Sequence, residues 1–139
     1  MYEKILVATD GSEGAEHAVD AALDIAEEMG AELHALFVVD TTRYGKPALS
    51  STELATEQVA EFGSQQVEAV AESGEARNVD VVVRTCRGRV WEEISDYADE
   101  SGIGLIVIGS RGKGQITPPR LGRVTTRVVQ AADQPTLVV

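Results

Sequence analysis

Lys4-Ile5-Leu6-Val7-Ala8-Thr9-Asp10-Gly11-Ser12 decides the architecture of this chain. Its apolar run does not alternate with polar residues, which fits a short strand buried on both faces. Asp10-Gly11-Ser12 then turns the chain. From Glu13 to Met29 the apolar positions are Ala15, Ala18, Val19, Ala22, Leu23, Ala26 and Met29, at helical spacing. Ser12 is placed as its N-cap and Gly30 as its C′ residue. A buried strand feeding directly into an amphipathic helix is the opening of a βαβ unit.

The same alternation continues along the chain. Glu32 to Val39 reads as a second strand and Asp40 to Ser50 as a polar loop with Gly45 and Pro47. Leu54, Ala55, Val59, Phe62, Val67 and Val70 mark a helix from Ser51 to Glu72, which Gly63 weakens in the middle. Ser73 to Asn78 is a connection and Val79 to Thr85 a third strand. Val90, Ile94, Tyr97 and Ala98 mark a third helix, and Leu105 to Ile108 a fourth strand. A loop from Gly109 to Leu121 precedes a helix over Gly122 to Ala132 and a last strand, Thr136 to Val139. This βαβαβαβαβ order implies α/β architecture, with a mostly parallel sheet and helices on both faces.

Composition narrows the function. With 139 residues, 43% of them hydrophobic, the chain fits one domain over 1–139. No apolar run approaches the roughly 20 residues that span a bilayer. Met1-Tyr2-Glu3-Lys4 lacks a basic signal-peptide start, and Cys86 is the only cysteine, so a cytoplasmic location is expected. A net charge of −11 argues against nucleic-acid binding. Three lysines against nine arginines, with abundant acids, resembles proteins from salt-rich cytoplasms. The charge is uneven: Ser101 to Ala132 carry no Asp or Glu but five basic residues, Arg111, Lys113, Arg120, Arg123 and Arg127. Such a segment either attracts a compact anion such as a polyphosphate or balances charge within or between subunits.

In open α/β sheets ligands bind beyond the carboxyl ends of strands, at a topological switch point. Asp10, Asp40 and Gly109 each follow a strand end. Gly109-Ser-Arg-Gly112 leads after nine residues to Gly122, which opens the last helix. Free N–H groups of Gly122, Arg123 and Val124, with the Thr125 hydroxyl in the first turn, make a phosphate cradle. The spacing matches neither Gly-x-Gly-x-x-Gly nor a P-loop, and the same glycines also serve as plain turn residues.

Ile5-Leu-Val-Ala-Thr-Asp-Gly-Ser12, Leu105-Ile-Val-Ile-Gly-Ser-Arg-Gly112 and Pro135-Thr-Leu-Val-Val139 together resemble the universal stress protein family, across essentially the whole chain. Gly109-x2-Gly112-x9-Gly122 resembles its ATP-binding branch. The resemblance implies a five-stranded parallel sheet in the order 3-2-1-4-5, of the adenine nucleotide alpha hydrolase type. It implies a homodimer through Thr136–Val139 and an ATP, ADP or AMP ligand, with Mg accompanying the nucleotide. By the same resemblance, Ala8, Thr9 and Asp10 lie against adenosine, and Val39 offers backbone groups to the adenine edge. Gly109, Arg111 and Gly112 cradle phosphate from one side; Gly122, Arg123, Val124 and Thr125 do so from the other. Arg123 departs from the family's usual Ser or Thr, and either grips phosphate bidentately or blocks the pocket. Pro118-Pro119-Arg120 also departs, and so does Gly104, where Asp often precedes the strand. With a blocked pocket the family resemblance implies an interaction or scaffold protein instead.

Other residues invite plainer readings. Asp10 and Asp40 either flank a divalent ion or are a solvated pair. His17 and His34 lack ligand-type neighbours at metal spacing and are read as surface or packing residues. Arg84, Arg87 and Arg89 are placed to lower the pKa of Cys86, although a plain small residue is the simpler reading. Trp91 is a packing residue. No nucleophile has an evident base, so any ATP hydrolysis is expected to be slow. A receiver-like domain needs Asp after its third strand, where this chain has Cys86 and Arg87.

Overall fold

Strand and helix alternate as the periodicity predicts. The computed structural model describes residues 2–42, 50–110 and 122–139, with backbone only over 50–55. The elements are β1 (Lys4–Ala8), α1 (Glu13–Met29), β2 (Glu32–Asp40), α2 (Ser50–Ala76) and β3 (Val81–Gly88), then α3 (Val90–Glu100), β4 (Leu105–Ile108), α4 (Arg123–Ala131) and β5 (Thr136–Val138). The five strands form one parallel sheet in the order β3-β2-β1-β4-β5. The chain starts at the centre, moves outward to β3, then crosses over β1 to β4. That reversal places the switch point between β1 and β4.

Two cores follow from the period-two alternation of the strands. Ile5, Val7, Ala35, Phe37 and Val107 face α1 and α2. Leu6, Leu36, Ile106 and Ile108 face Ile94 and Ala98 of α3 and Val128 of α4. All four residues of β4 are buried, as a central parallel strand requires. In α1, Ser12 caps the start, its Oγ accepting the Ala15 N–H at 3.2 Å. Gly30 ends the helix at φ 65°, a left-handed turn that suits glycine. The buried face of α1 is mostly alanine, so the helix lies close on the sheet.

The second helix departs from expectation. It runs on to Ala76 rather than stopping near Glu72. Gly74 does not break it: a Cβ there would overlap the Val81 side chain, so glycine lets α2 touch β3. Asn78, at φ 58°, turns the chain instead, and Val79 N–H reaches Gly74 O at 2.8 Å. The third strand therefore begins at Val81, not Val79. It extends to Gly88 because β2 itself continues to Asp40 and pairs Val38–Asp40 with Cys86–Gly88. Arg77 ties the end of α2 to α1, donating to Asp24 at 2.6 Å and to Glu27 at 3.0 Å. Leu54 and Ala55, expected on the apolar stripe, have side chains outside the described residues.

Candidate functional site

The carboxyl ends of β1 and β4 meet the starts of two helices, α1 and α4. At the end of β1, Ala8 is half-buried in the strand, opposite Leu36. Thr9 is buried; its N–H donates to Leu36 O at 3.0 Å and its Oγ1 accepts the Gly11 N–H at 3.2 Å. Asp10 Oδ1 accepts the Ser12 N–H at 2.9 Å. Gly11 needs its glycine twice over: φ is 79°, and a Cβ would lie 2.6 Å from the Phe62 ring. This turn is thus locked by short side-chain hydrogen bonds and an α2 aromatic.

Gly109 follows β4 and abuts the first turn of α1. A Cβ on it would stand 2.7 Å from the Gly14 carbonyl oxygen. From the other side, the buried Thr125 hydroxyl donates to Gly109 O at 2.6 Å. Gly122 N–H donates to Ser110 O, also at 2.6 Å. Gly109 and Ser110 are therefore held between the starts of α1 and α4. Thr125 and the Gly122 amide act in this clamp, so the protons they donate go to protein carbonyls.

The two helix starts differ electrostatically. Ser12 caps α1, and Glu13 and Glu16 occupy its first turn. Gly122 caps α4 with no side-chain bond, and no acidic residue stands in its first turn. The N–H groups of Arg123, Val124 and Thr125 have no intrahelical acceptor. They leave a partial positive charge at that end. The Arg123 side chain is exposed. Among the described residues, α4 is thus the helix start in this region with open amides and local positive charge. Arg111 and Gly112, expected on the other side of the cradle, lie outside the described residues, as do Pro118, Pro119 and Arg120.

Strand register moves one expectation by a residue. Leu33 N–H donates to Asp80 O, and Thr9 N–H donates to Leu36 O. In a parallel strand successive residues direct their backbone groups to alternate sides. Odd-numbered residues of β2, Val39 included, therefore bond to β3. Val39 is also fully buried. Val38 instead turns its N–H and C=O toward β1, above the point where β1 has ended. The β2 backbone groups that open beyond the end of β1 are therefore those of Val38, not of Val39. Composition and spacing carry no signal for this, because the parity depends on how three strands pair.

The remaining candidates resolve plainly. Asp40 Oδ1 accepts the Thr42 N–H at 3.0 Å and the Thr42 hydroxyl at 2.5 Å. Among the described residues no three His, Cys, Asp or Glu side chains gather as a metal site. His17 is exposed. His34 is buried between Tyr97 Oη at 2.6 Å and Glu32 Oε1 at 2.7 Å, a polar link from β2 to α3. Trp91 packs on the α3 side, with the Arg127 guanidinium 5.9 Å from its ring. Cys86 fits the simpler expectation, a plain small residue; a thiol lowered by its arginine neighbours is not what the structure shows. Burial, then the nearby Glu93 carboxylate, push the thiol up to about 11, against a smaller lowering by Arg84. It is a thiol, not a thiolate, near neutral pH.

Comparisons with known proteins come to bear on this geometry. A family model described as "Universal stress protein family" matches residues 1–139. Universal stress protein MJ0531 of Methanocaldococcus jannaschii is 36% identical over 140 residues, covering 100% of this chain and 82% of the relative. The solved structure of MJ0577, from the same organism, superposes with a TM-score of 0.90 at 29% identity, covering 100% of this chain and 96% of the other. Two more distant structures, a universal stress protein in complex with cAMP and an Arabidopsis thaliana protein with AMP bound, share the fold at 22% and 16% identity. Their TM-scores are 0.77 and 0.71.

Proposed function

The chain belongs to the universal stress protein family, and from that premise we propose that it is an adenine-nucleotide-binding regulatory module whose ligand is ATP. The start of α4 carries the reading: open amides, no acidic residue and an exposed Arg123, clamped through Thr125 and Gly109 beside the end of β1. Two relatives of the same fold are described with cAMP and with AMP. In this arrangement Val38 backbone groups meet the adenine edge, and Ala8, Thr9 and Asp10 line the adenosine. The Arg123 and Val124 amides and the Arg123 guanidinium receive the phosphates, and Arg111 and Gly112, outside the described residues, are proposed to add to that cradle. Mg²⁺ arrives with the phosphates rather than in a protein cage. A half-buried thiol with no partner cysteine suits a reducing cytoplasm.

Titration calorimetry is expected to give affinities in the order ATP, ADP, AMP. Arg123→Gln should weaken ATP about tenfold, roughly 1.4 kcal/mol of charge-assisted hydrogen bonding, and leave AMP nearly unchanged. A second reading, a scaffold with a closed site, is favoured by one observation: the Gly122 amide and Thr125 hydroxyl already serve protein carbonyls. No heat with any adenine nucleotide, together with no thermal shift at millimolar ATP, would leave that reading standing.

In either reading the protein is proposed to be a homodimer joined through β5. This edge exposes Leu137 (40%), Val139 (38%) and, on α4, Val129 (46%). Unpaired edges of this kind are normally covered. Leu137→Lys with Val139→Lys, at exposed positions that spare the core, should give a monomer in light scattering. A dimer that survives the pair removes β5 from the interface.

A further inference from the structure

The sheet has a second edge, β3, which at eight residues is longer than the three-residue β5. Its hydrogen-bond parity is fixed at both ends. Leu33 N–H donates to Asp80 O and Thr41 N–H donates to Gly88 O. Val82, Arg84 and Cys86 therefore direct their backbone groups to β2. Val81, Val83, Thr85 and Arg87 direct theirs outward. Among the described residues no strand pairs with that side.

The side chains along this edge have an unusual charge for the molecule. Residues 81–91 hold three arginines and no acidic residue, in a chain of net charge −11. Arg84, Arg87 and Arg89 are all exposed. Arg89 lies 3.7 Å from Glu92. Arg84 and Arg87 form no ion pair among the described residues. Strand alternation sends them to opposite faces: Arg84 shares a face with Cys86 on the α3 side, and Arg87 shares one with Val83 on the α2 side. Val82, 39% exposed, adds an apolar contact beside Arg84.

We propose that the outer edge of β3 is a docking strand for an acidic, extended segment of another protein, which joins the sheet as a sixth strand. The outward N–H and C=O groups supply the backbone ladder. Arg84 and Arg87 select acidic side chains three positions apart, one for each face. A second copy of this chain does not fit. Self-pairing of β3 about a two-fold axis would gather two copies each of Arg84 and Arg87 along one short seam, and like charges crowded on a strand pair are destabilising. The same charges that prevent self-association thus choose the partner.

The test uses the full chain and a labelled ten-residue peptide of alternating valine and threonine, with two glutamates three positions apart. Fluorescence polarisation should show it binding at least about tenfold tighter than the same peptide with lysines. In amide exchange by NMR, Val83, Thr85 and Arg87 should slow on binding while Val82, Arg84 and Cys86 stay unchanged. Thr85→Pro removes one outward N–H, spares the ladder to β2, and should weaken the peptide about tenfold. Arg84→Glu with Arg87→Glu, both at exposed positions, should reverse the preference to the lysine peptide. The proposal is overturned if both peptides bind equally, or if the glutamate peptide fails to bind at millimolar concentration. It is also overturned if the outward amides are already protected before any peptide is added.

Discussion

Replacing Gly63 with alanine is expected to destabilise the protein by about 1–3 kcal/mol, although alanine in a helix interior is ordinarily worth about 1 kcal/mol over glycine. The reason lies across the core. A Cβ at Gly63 would overlap the ring of Phe37, on β2. That ring is 5% exposed and stands edge-on to Phe62, with centroids 6.0 Å apart. It is buried and already packed on Phe62, so the steric cost is expected to exceed the propensity gain. Urea unfolding should show a lower midpoint with an unchanged slope. Phe37→Leu in the Gly63→Ala background should recover part of the loss, as a coupled pair does. An alanine variant more stable than the parent would mean that the aromatic pair gives way freely, and that α2 does not depend on close approach.

Gly109→Val should cost about 3 kcal/mol and also abolish the stabilisation by ATP that the proposed site predicts. Here the obstruction is backbone. The new Cβ would stand 2.7 Å from the Gly14 carbonyl oxygen and 2.9 Å from its carbon, and neither can swing aside as a side chain can. Relief requires moving the post-β4 turn away from α1. That motion pulls Gly109 O from Thr125 and releases α4's first turn. Thermal melts with and without millimolar ATP separate the two effects: the unliganded melting temperature should fall, and the ATP-induced rise should vanish. Gly109→Ala should fall between parent and valine in both. A valine variant that keeps its unliganded stability would show that the clamp is not what fixes this turn.

Much of this was legible in the sequence, and the gaps have definite causes. The unbroken apolar runs at Ile5–Val7 and Leu105–Ile108 announced strands buried on both faces, and the alanine-rich period from Ala15 to Ala26 announced the helix between them. Helix caps at Ser12 and Gly30 are local chemistry, so they could be read locally. Gly63 and Gly74 could not. Each looks like a weak point in a helix, and each is a contact with a strand far along the chain, Phe37 in one case and Val81 in the other. The same holds at the site. Gly109 was legible as a glycine at a strand end, but its steric need comes from Gly14, about a hundred residues earlier. Val38 and Val39 differ only in which neighbour their backbone faces, which is settled by pairing rather than composition. For Cys86 the plain small residue was the better reading, and the alternative of an arginine-lowered thiol came from its neighbours in sequence alone. Its actual surroundings are the α3-side core and the Glu93 carboxylate, one helical turn into α3.

The central place of β1 also bears on how the chain is made. It is the first of these five strands to be synthesised, yet it must pair with β2 on one side and β4 on the other. Once Gly88 has emerged from the ribosome, three strands in the order β3-β2-β1 can already assemble. The far side of β1 then waits for Leu105–Ile108, about twenty residues later, or ~1–4 s at ~5–20 residues per second. During that interval the nascent sheet has β1 as a temporary edge, with Leu6 and its apolar neighbours uncovered on the face that α3 and α4 later close. The crossover that creates the switch point between β1 and β4 in the finished protein is thus also the step that leaves the growing chain most open to aggregation.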